Sequence, residues 1–230
     1  MCRQIPRSEL PGNILPRSLR LVAFDCDGVI FDSKDANVEF YTHILEQVGS
    51  GPVRPDQYEF IHMHPVSESL RYLLGEGAHL KSALEYSQTI DFRDFNAHLR
   101  REPGVLEILK LSKAAYKTAL ATNRTVSTRD VLVYHGLESY FDLIVSASDV
   151  SFPKPHPEIM LRILAAFGIP AEEVIYIGDS AVDEAMAEAS GVFFVAYKNP
   201  ELRADLHVEH FDQLYPLLLE RAKGHNGNGG

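Results

Sequence analysis

Five short runs in this chain are largely or wholly apolar. Leu21-Val22-Ala23-Phe24 is the clearest, and comparable runs lie at 117–121, 143–145, 174–177 and 192–196. A strand exposed on one face alternates apolar and polar residues. A strand that does not alternate belongs in a sheet covered on both faces, as in parallel α/β folds. Between these runs the period changes to that of a helix. Ile159, Ile163 and Phe167 share one helical face just before Gly168, residues 128–135 close at Gly136, and residues 181–190 close at Gly191. The alternation predicts an α/β fold with a Rossmann-like, doubly wound parallel sheet.

Residues 34–101 break that rhythm. They contain no convincing apolar strand run, only helix-like segments at about 35–48, 55–73 and 78–99, separated by Gly49-Ser50-Gly51-Pro52 and Gly75-Glu76-Gly77. The pattern predicts a helical insertion into a core made of 19–33 and 102–222. Residues 1–18, with Pro6, Pro11 and Pro16, read as an irregular arm. The Gly- and Asn-rich residues 223–230 read as a disordered tail.

Composition narrows the functional classes. With 230 residues, 45% of them hydrophobic, the chain has enough material for one core and a small accessory lobe. A formal charge of −10 argues against nucleic acid as the main partner, since phosphate backbones are bound through excess Lys and Arg. It leaves room for a small anion held by a local cluster of cations and a metal. Cys2 and Cys26 do not make a disulfide framework, there is no apolar signal segment, and no run approaches the ~18–20 apolar residues of a membrane span. The expected compartment is the cytoplasm, with no membrane partner.

Polar clusters follow four of the five apolar runs: Asp25-x-Asp27-Gly28, Thr122-Asn123-Arg124, Lys154-Pro155, and Gly178-Asp179-Ser180-x-x-Asp183. In an open α/β sheet the strands' carboxyl ends lie along one edge, where ligands bind. Asp25, Asp27, Asp179 and Asp183 would crowd up to four carboxylates there, which is strongly unfavourable unless a cation neutralises them or some are protonated. An all-oxygen donor set favours a hard ion, and Mg²⁺ is the usual choice when phosphate completes the shell. Lys154 and the Thr122 hydroxyl would hold the phosphoryl group, and Gly28 would let main-chain amides approach it.

These motifs resemble those of the haloacid dehalogenase-like hydrolases. Phe24-Asp25-Cys26-Asp27-Gly28-Val29-Ile30-Phe31-Asp32-Ser33 is similar to the first motif and Ala121-Thr122-Asn123 to the second. Lys154-Pro155-His156-Pro157 is similar to the third and Ile177-Gly178-Asp179-Ser180-x-x-Asp183 to the fourth. The insertion resembles the small helical cap of the phosphoglycolate-phosphatase and β-phosphoglucomutase branch, and Leu74-Gly75-Glu76-Gly77-Ala78 resembles a cap segment of the phosphatases. The resemblance implies a Mg²⁺-dependent phosphatase acting on a small phosphorylated metabolite, as monomer or homodimer. Asp25 would be the nucleophile that becomes an aspartyl-phosphate, and Asp27 the acid and base for leaving alcohol and attacking water. Asp25, the main-chain carbonyl of Asp27 and Asp179 would hold the metal. Thr122, Asn123 and Lys154 would bind the phosphoryl group, while Asp183 and Ser180 support the metal waters or orient Lys154.

Alternative functions are a phosphosugar mutase and a catalytically silent binding module. The mutases usually carry a histidine twelve residues after the nucleophile, where this chain has Asn37. Outside the motifs the expectations are plainer. His62-x-His64 do not share a helical face and should be solvated or hydrogen-bonded rather than metal ligands. Phe40, Tyr41 and Leu45 should pack the insertion, and Asp32 should be structural. Arg71 and Arg124 are candidate anion binders whose solvated-surface reading is at least as strong.

Overall fold

A computed structural model describes residues 14–90, 95, 99–125 and 128–226 of the chain. The first strand, β1 (Leu21–Phe24), is completely buried. After a loop come β2 (Phe31–Asp32) and, beyond the insertion, β3 (Arg100–Arg101), which pair antiparallel where the chain leaves and rejoins the core. The other strands are β4 (Lys117–Thr122), β5 (Leu143–Ser146), β6 (Val174–Gly178), β7 (Phe193–Tyr197) and β8 (Leu206–Val208). Six of them form one parallel sheet in the order β5-β4-β1-β6-β7-β8, among the described residues. The Rossmann-like architecture expected from the apolar runs is present. β8 is an addition: it is short, and His207 interrupts its apolar pattern.

The insertion begins with α1 (Lys34–Gln47), continues through α2 (Tyr58–Met63) and α3 (Val66–Leu74), and includes α4 (Ala78–Ser87). The segment expected as one helix over 55–73 is divided. Pro65 restricts the residue before it, and His64 is extended (φ −111°, ψ 154°), so α2 stops and α3 restarts in a new direction. The helix expected over 78–99 ends at Ser87; residues 91–94 and 96–98 lie outside the described residues.

Helices α5 (Val105–Ala115), α6 (Thr128–Tyr134), α7 (Glu158–Phe167), α8 (Ala181–Ser190) and α9 (Phe211–Asn226) accompany the core strands. Two apolar clusters hold residues from alternate positions of β1: Val22 and Phe24 in one, Leu21 and Ala23 in the other. The insertion has its own cluster, built on Phe40, Tyr41, Ile44, Ile61, Leu70, Leu80 and Ala83. Leu45 is buried as well.

Each end carries a feature that the sequence pattern does not show. Residues 14–18 are irregular, yet Leu15 is buried in the core and its carbonyl accepts a 2.6 Å hydrogen bond from Arg221 of α9. Helix α9 continues through 223–226, because no proline follows Ala222 to end it and the helix can carry Gly224 at modest cost. Residues 1–13 and 227–230 lie outside the described residues.

Candidate active site

The C-terminal edge of the sheet gathers the four clusters. Asp25 follows β1, its N–H donating to the Ile177 carbonyl (2.8 Å), so the ladder with β6 continues to the carboxylate-bearing residue. Thr122 ends β4, Lys154 lies between β5 and α7, and Asp179 follows β6.

Lys154 is the hub. Its Nζ lies 2.8 Å from Asp25 Oδ1 and 2.7 Å from Asp183 Oδ1, and it donates to the Ala121 carbonyl and the Tyr176 hydroxyl (both 3.2 Å). Asp183, fully buried, also accepts the Tyr176 O–H, the Ser180 O–H (each 2.5 Å) and the Ser180 N–H (3.1 Å). Ser180 and Asp183 therefore act together, and α8 starts on this capping exchange. Burial alone would raise the Asp183 carboxyl; the Lys154 charge, with the Ser180 and Tyr176 hydrogen bonds, holds it below the usual range. Desolvation would lower Lys154, but Asp183 and Asp25 more than offset it and push the ammonium above its ordinary range. Glycine at 178 makes this possible, since a Cβ there would lie 2.5 Å from Asp183 Cβ. Tyr176 escaped the sequence reading, although a tyrosine inside a wholly apolar strand must find a partner for its hydroxyl.

Asn123 ties three segments together. Its Oδ1 accepts the Lys154 N–H (2.9 Å), and its Nδ2 donates to the Lys154 carbonyl (2.9 Å) and to the Met63 carbonyl of the insertion (3.0 Å). The Thr122 hydroxyl oxygen accepts the Arg124 N–H at 3.0 Å. Gly28 has a positive φ of 77°, and a Cβ would fall 1.8 Å from Asp179 Oδ2. Its own N–H donates to the Phe31 carbonyl (2.7 Å), so the room it creates is used by Asp179.

Arg124 is not a solvated surface residue. Its Nε and Nη2 donate to Asp27 Oδ2 (2.7 Å) and Oδ1 (2.9 Å), a bidentate pair in which both side chains are largely buried. Burial would raise the Asp27 carboxyl, but the guanidinium's charge and hydrogen bonds more than offset it and hold the group below its ordinary range. Arg71, by contrast, is exposed and pairs with Glu76. Asp32 is exposed and accepts the Lys34 N–H at 3.4 Å, a structural role at the entrance to α1.

The insertion reaches the same edge through His62, whose Nε2 is 3.1 Å from Asp179 Oδ2. This hydrogen bond is where the residue differs from a solvated histidine, and no spacing rule in the sequence marks it. Burial opposes the imidazolium, but the hydrogen bond and charge of Asp179, with Asp27 and Asp25 beyond, lift it to about 9. His64 turns away to bond the Phe60 carbonyl (2.9 Å).

Asp25, Asp179 and Asp183 each offer a carboxylate oxygen, all within 4.8 Å of one another. Asp25 is pushed well up by burial, which Lys154 opposes and the other two carboxylates reinforce. Asp179 is raised by burial against the pull of His62. Asp179 Oδ1 is buried with no hydrogen-bond partner. Two destabilised carboxylates and an orphaned buried oxygen fit a hard cation. Both Asp183 oxygens already accept hydrogen bonds, Oδ1 from Lys154 and Tyr176 and Oδ2 from Ser180.

The family model described as haloacid dehalogenase-like hydrolase matches residues 22–197, which hold all four clusters. The chain belongs to the haloacid dehalogenase-like hydrolases. A phosphorylated carbohydrates phosphatase of Thermotoga maritima is 32% identical over 180 residues, covering 76% of this chain and 82% of the relative. The pyrophosphatase PpaX of Halalkalibacterium halodurans is 30% identical over 207 residues, covering 86% and 92%. A crystal structure of a hydrolase of this superfamily from Geobacter sulfurreducens is 37% identical with a TM-score of 0.72, covering 87% of this chain and 97% of that one. This hydrolase therefore sits among enzymes named as phosphatases.

Proposed function

We propose that this hydrolase is a Mg²⁺-dependent phosphatase that cleaves a small phosphorylated metabolite, phosphoglycolate- or sugar-phosphate-like, through an aspartyl-phosphate on Asp25. The observation that carries the reading is the convergence on Asp25 of a buried ammonium and a carboxylate cluster with an orphaned oxygen. Asp25, Asp179 and the Asp27 main-chain carbonyl would hold Mg²⁺. When bound, the ion supplies charge neutralisation between the nucleophile and the phosphoryl oxygens.

The chain's own residues do the rest. Lys154 keeps the nucleophile oriented and contributes positive charge to the phosphoryl group, work that is mainly positional and electrostatic. The Thr122 hydroxyl, held by the Arg124 N–H, is available to donate to a phosphoryl oxygen. Asn123 fixes the Lys154 loop and ties it to the insertion. Asp27 protonates the leaving alcohol and then takes the proton of the attacking water. Each Asp27 oxygen accepts one hydrogen bond from Arg124 and keeps a second lone pair for the proton, while the guanidinium lowers the group's basicity. The mutase alternative gains nothing from Asn37, which donates to Ser33 Oγ at 3.4 Å.

The test is phosphate release from a panel of small phosphate esters with Mg²⁺ and with chelator. Metal-dependent release is expected. A folded protein that releases phosphate from none of them would overturn the reading.

A further inference from the structure

The Asp179 carboxylate is held only lightly by its own oxygens. Oδ2 meets His62 at 3.1 Å, and Oδ1 is buried without a hydrogen-bond partner. Its position is therefore set mainly by the main chain of residue 179. The Asp179 N–H donates to Asp183 Oδ2 at 3.3 Å, and the Asp179 carbonyl accepts a shorter bond, 2.8 Å, from Asn199 Nδ2. Asn199 lies just beyond β7, the strand beside β6, and belongs to none of the four polar clusters.

The turn that delivers Asn199 is strained. Lys198 has a φ of 56°, the one positive φ outside glycine among the described residues. A side chain with a Cβ keeps that conformation where surrounding contacts enforce it. Here the Lys198 N–H donates to the Val208 carbonyl at 2.8 Å, and Nζ lies 2.6 Å from Glu102 Oε2 and 5.4 Å from the centre of the Tyr197 ring. Glu102 is buried, and its carboxylate also accepts the Tyr197 O–H at 3.2 Å. Glu102 directly follows β3. Its N–H donates to the Ile30 carbonyl at 3.0 Å and so extends the β2–β3 pairing where the insertion rejoins the core. Two consecutive residues thus grip the re-entry point of the insertion and the carbonyl of Asp179.

We infer that Asn199 is a positioning residue for Asp179, and that the Lys198-Asn199 turn couples the Asp179 loop to the segment through which the insertion rejoins the core. Asn199 acts through the Asp179 main chain, keeping the carboxylate where a divalent cation meets it together with Asp25. Lys198 acts by fixing the turn against Glu102. This rests on the Mg²⁺ site proposed above and deepens it. Such coupling is reciprocal: loosening the turn weakens metal binding, and bound metal steadies the re-entry segment.

Calorimetric titration of the full chain with Mg²⁺ reads the affinity without turnover. Asn199→Leu removes the donor at similar volume and should weaken Mg²⁺ binding by about tenfold, the lower end of what losing a group behind a metal ligand costs. Lys198→Met should weaken it by about fivefold. In both variants the Mg²⁺ concentration for half-maximal turnover should rise while kcat at saturating Mg²⁺ changes little. A merely structural role would shift urea denaturation and leave the Mg²⁺ affinity alone. In the wild type, Mg²⁺ should slow hydrogen exchange of the Glu102 amide followed by NMR, and Asn199→Leu should lose that protection. Unchanged Mg²⁺ affinity in either folded variant overturns the inference. A wild-type Glu102 amide indifferent to bound Mg²⁺ overturns it too, and that result needs no variant to fold. Both of these leave the proposed metal site standing, whereas a wild type that binds no Mg²⁺ overturns the site and the inference together.

Discussion

Lys154 and His62 are both cations set against the same group of carboxylates, one from the sheet edge and one from the insertion. Lys154 is buried and meets two carboxylates, a carbonyl and a hydroxyl. His62 meets the edge through one hydrogen bond among the described residues, to Asp179 at 3.1 Å, and a further tie between insertion and edge is Asn123 to the Met63 carbonyl. The edge is thus assembled as part of the core, with its charges satisfied several times over. The insertion touches it through single hydrogen bonds that can be exchanged at little cost. On the proposed function, the chemistry would reside at the sheet edge and the insertion would face the leaving group.

The sharpest way to break this contrast is Lys154→Ala. It would leave Asp183 and Asp25 buried without their common partner, and removing one member of such a network costs about 3–5 kcal/mol. Urea denaturation measures it, and turnover should vanish as well. A loss below about 1 kcal/mol would mean that the edge is not the rigid element.

Next in size is Asp27→Asn, which should slow both formation and hydrolysis of the phosphoenzyme by ~10²–10⁴-fold, since each step needs the positioned proton carrier. Rapid-quench kinetics separates the two steps. Normal rates in both would remove Asp27 from that role.

The smallest effect belongs to His62→Gln, and it carries a pH signature. In chelator, the folded imidazolium titrates at about 9 against 6.5 for the free side chain. A group whose pKa rises on folding contributes fully below the unfolded value and loses that contribution as pH climbs through the folded one. The stability gap between wild type and His62→Gln should therefore be at most about 3 kcal/mol near pH 6, shrink from about 6.5 to about 9, and close above that. Thermal denaturation across this range checks it, and a gap independent of pH would show that the contact is not between charges.

The sequence was informative where a single constraint dominates. Strands covered on both faces carry mainly apolar residues, so β1, β4, β5, β6 and β7 stand out, and four of the five lead to their motifs at a common edge. β8 does not stand out, because three residues with a histidine in the middle carry too little pattern. The interior of the insertion was less legible. Phe40, Tyr41 and Leu45 are identifiable as packing residues, but the break at Pro65 that divides α2 from α3 and the contact of His62 with Asp179 are not. Arg124 was ambiguous for a similar reason: its partner Asp27 is 97 residues away, and only the sheet order brings them together.

The central claim is that Asp25 is the nucleophile. During steady-state turnover in Mg²⁺, the protein can be quenched with borohydride, which reduces an acyl phosphate to the alcohol, and the peptides then mapped by mass. The account predicts homoserine at position 25, no such product in Asp25→Asn, and no turnover by that variant. Reduction at another residue, or turnover by Asp25→Asn with the wild-type pH profile, would contradict it.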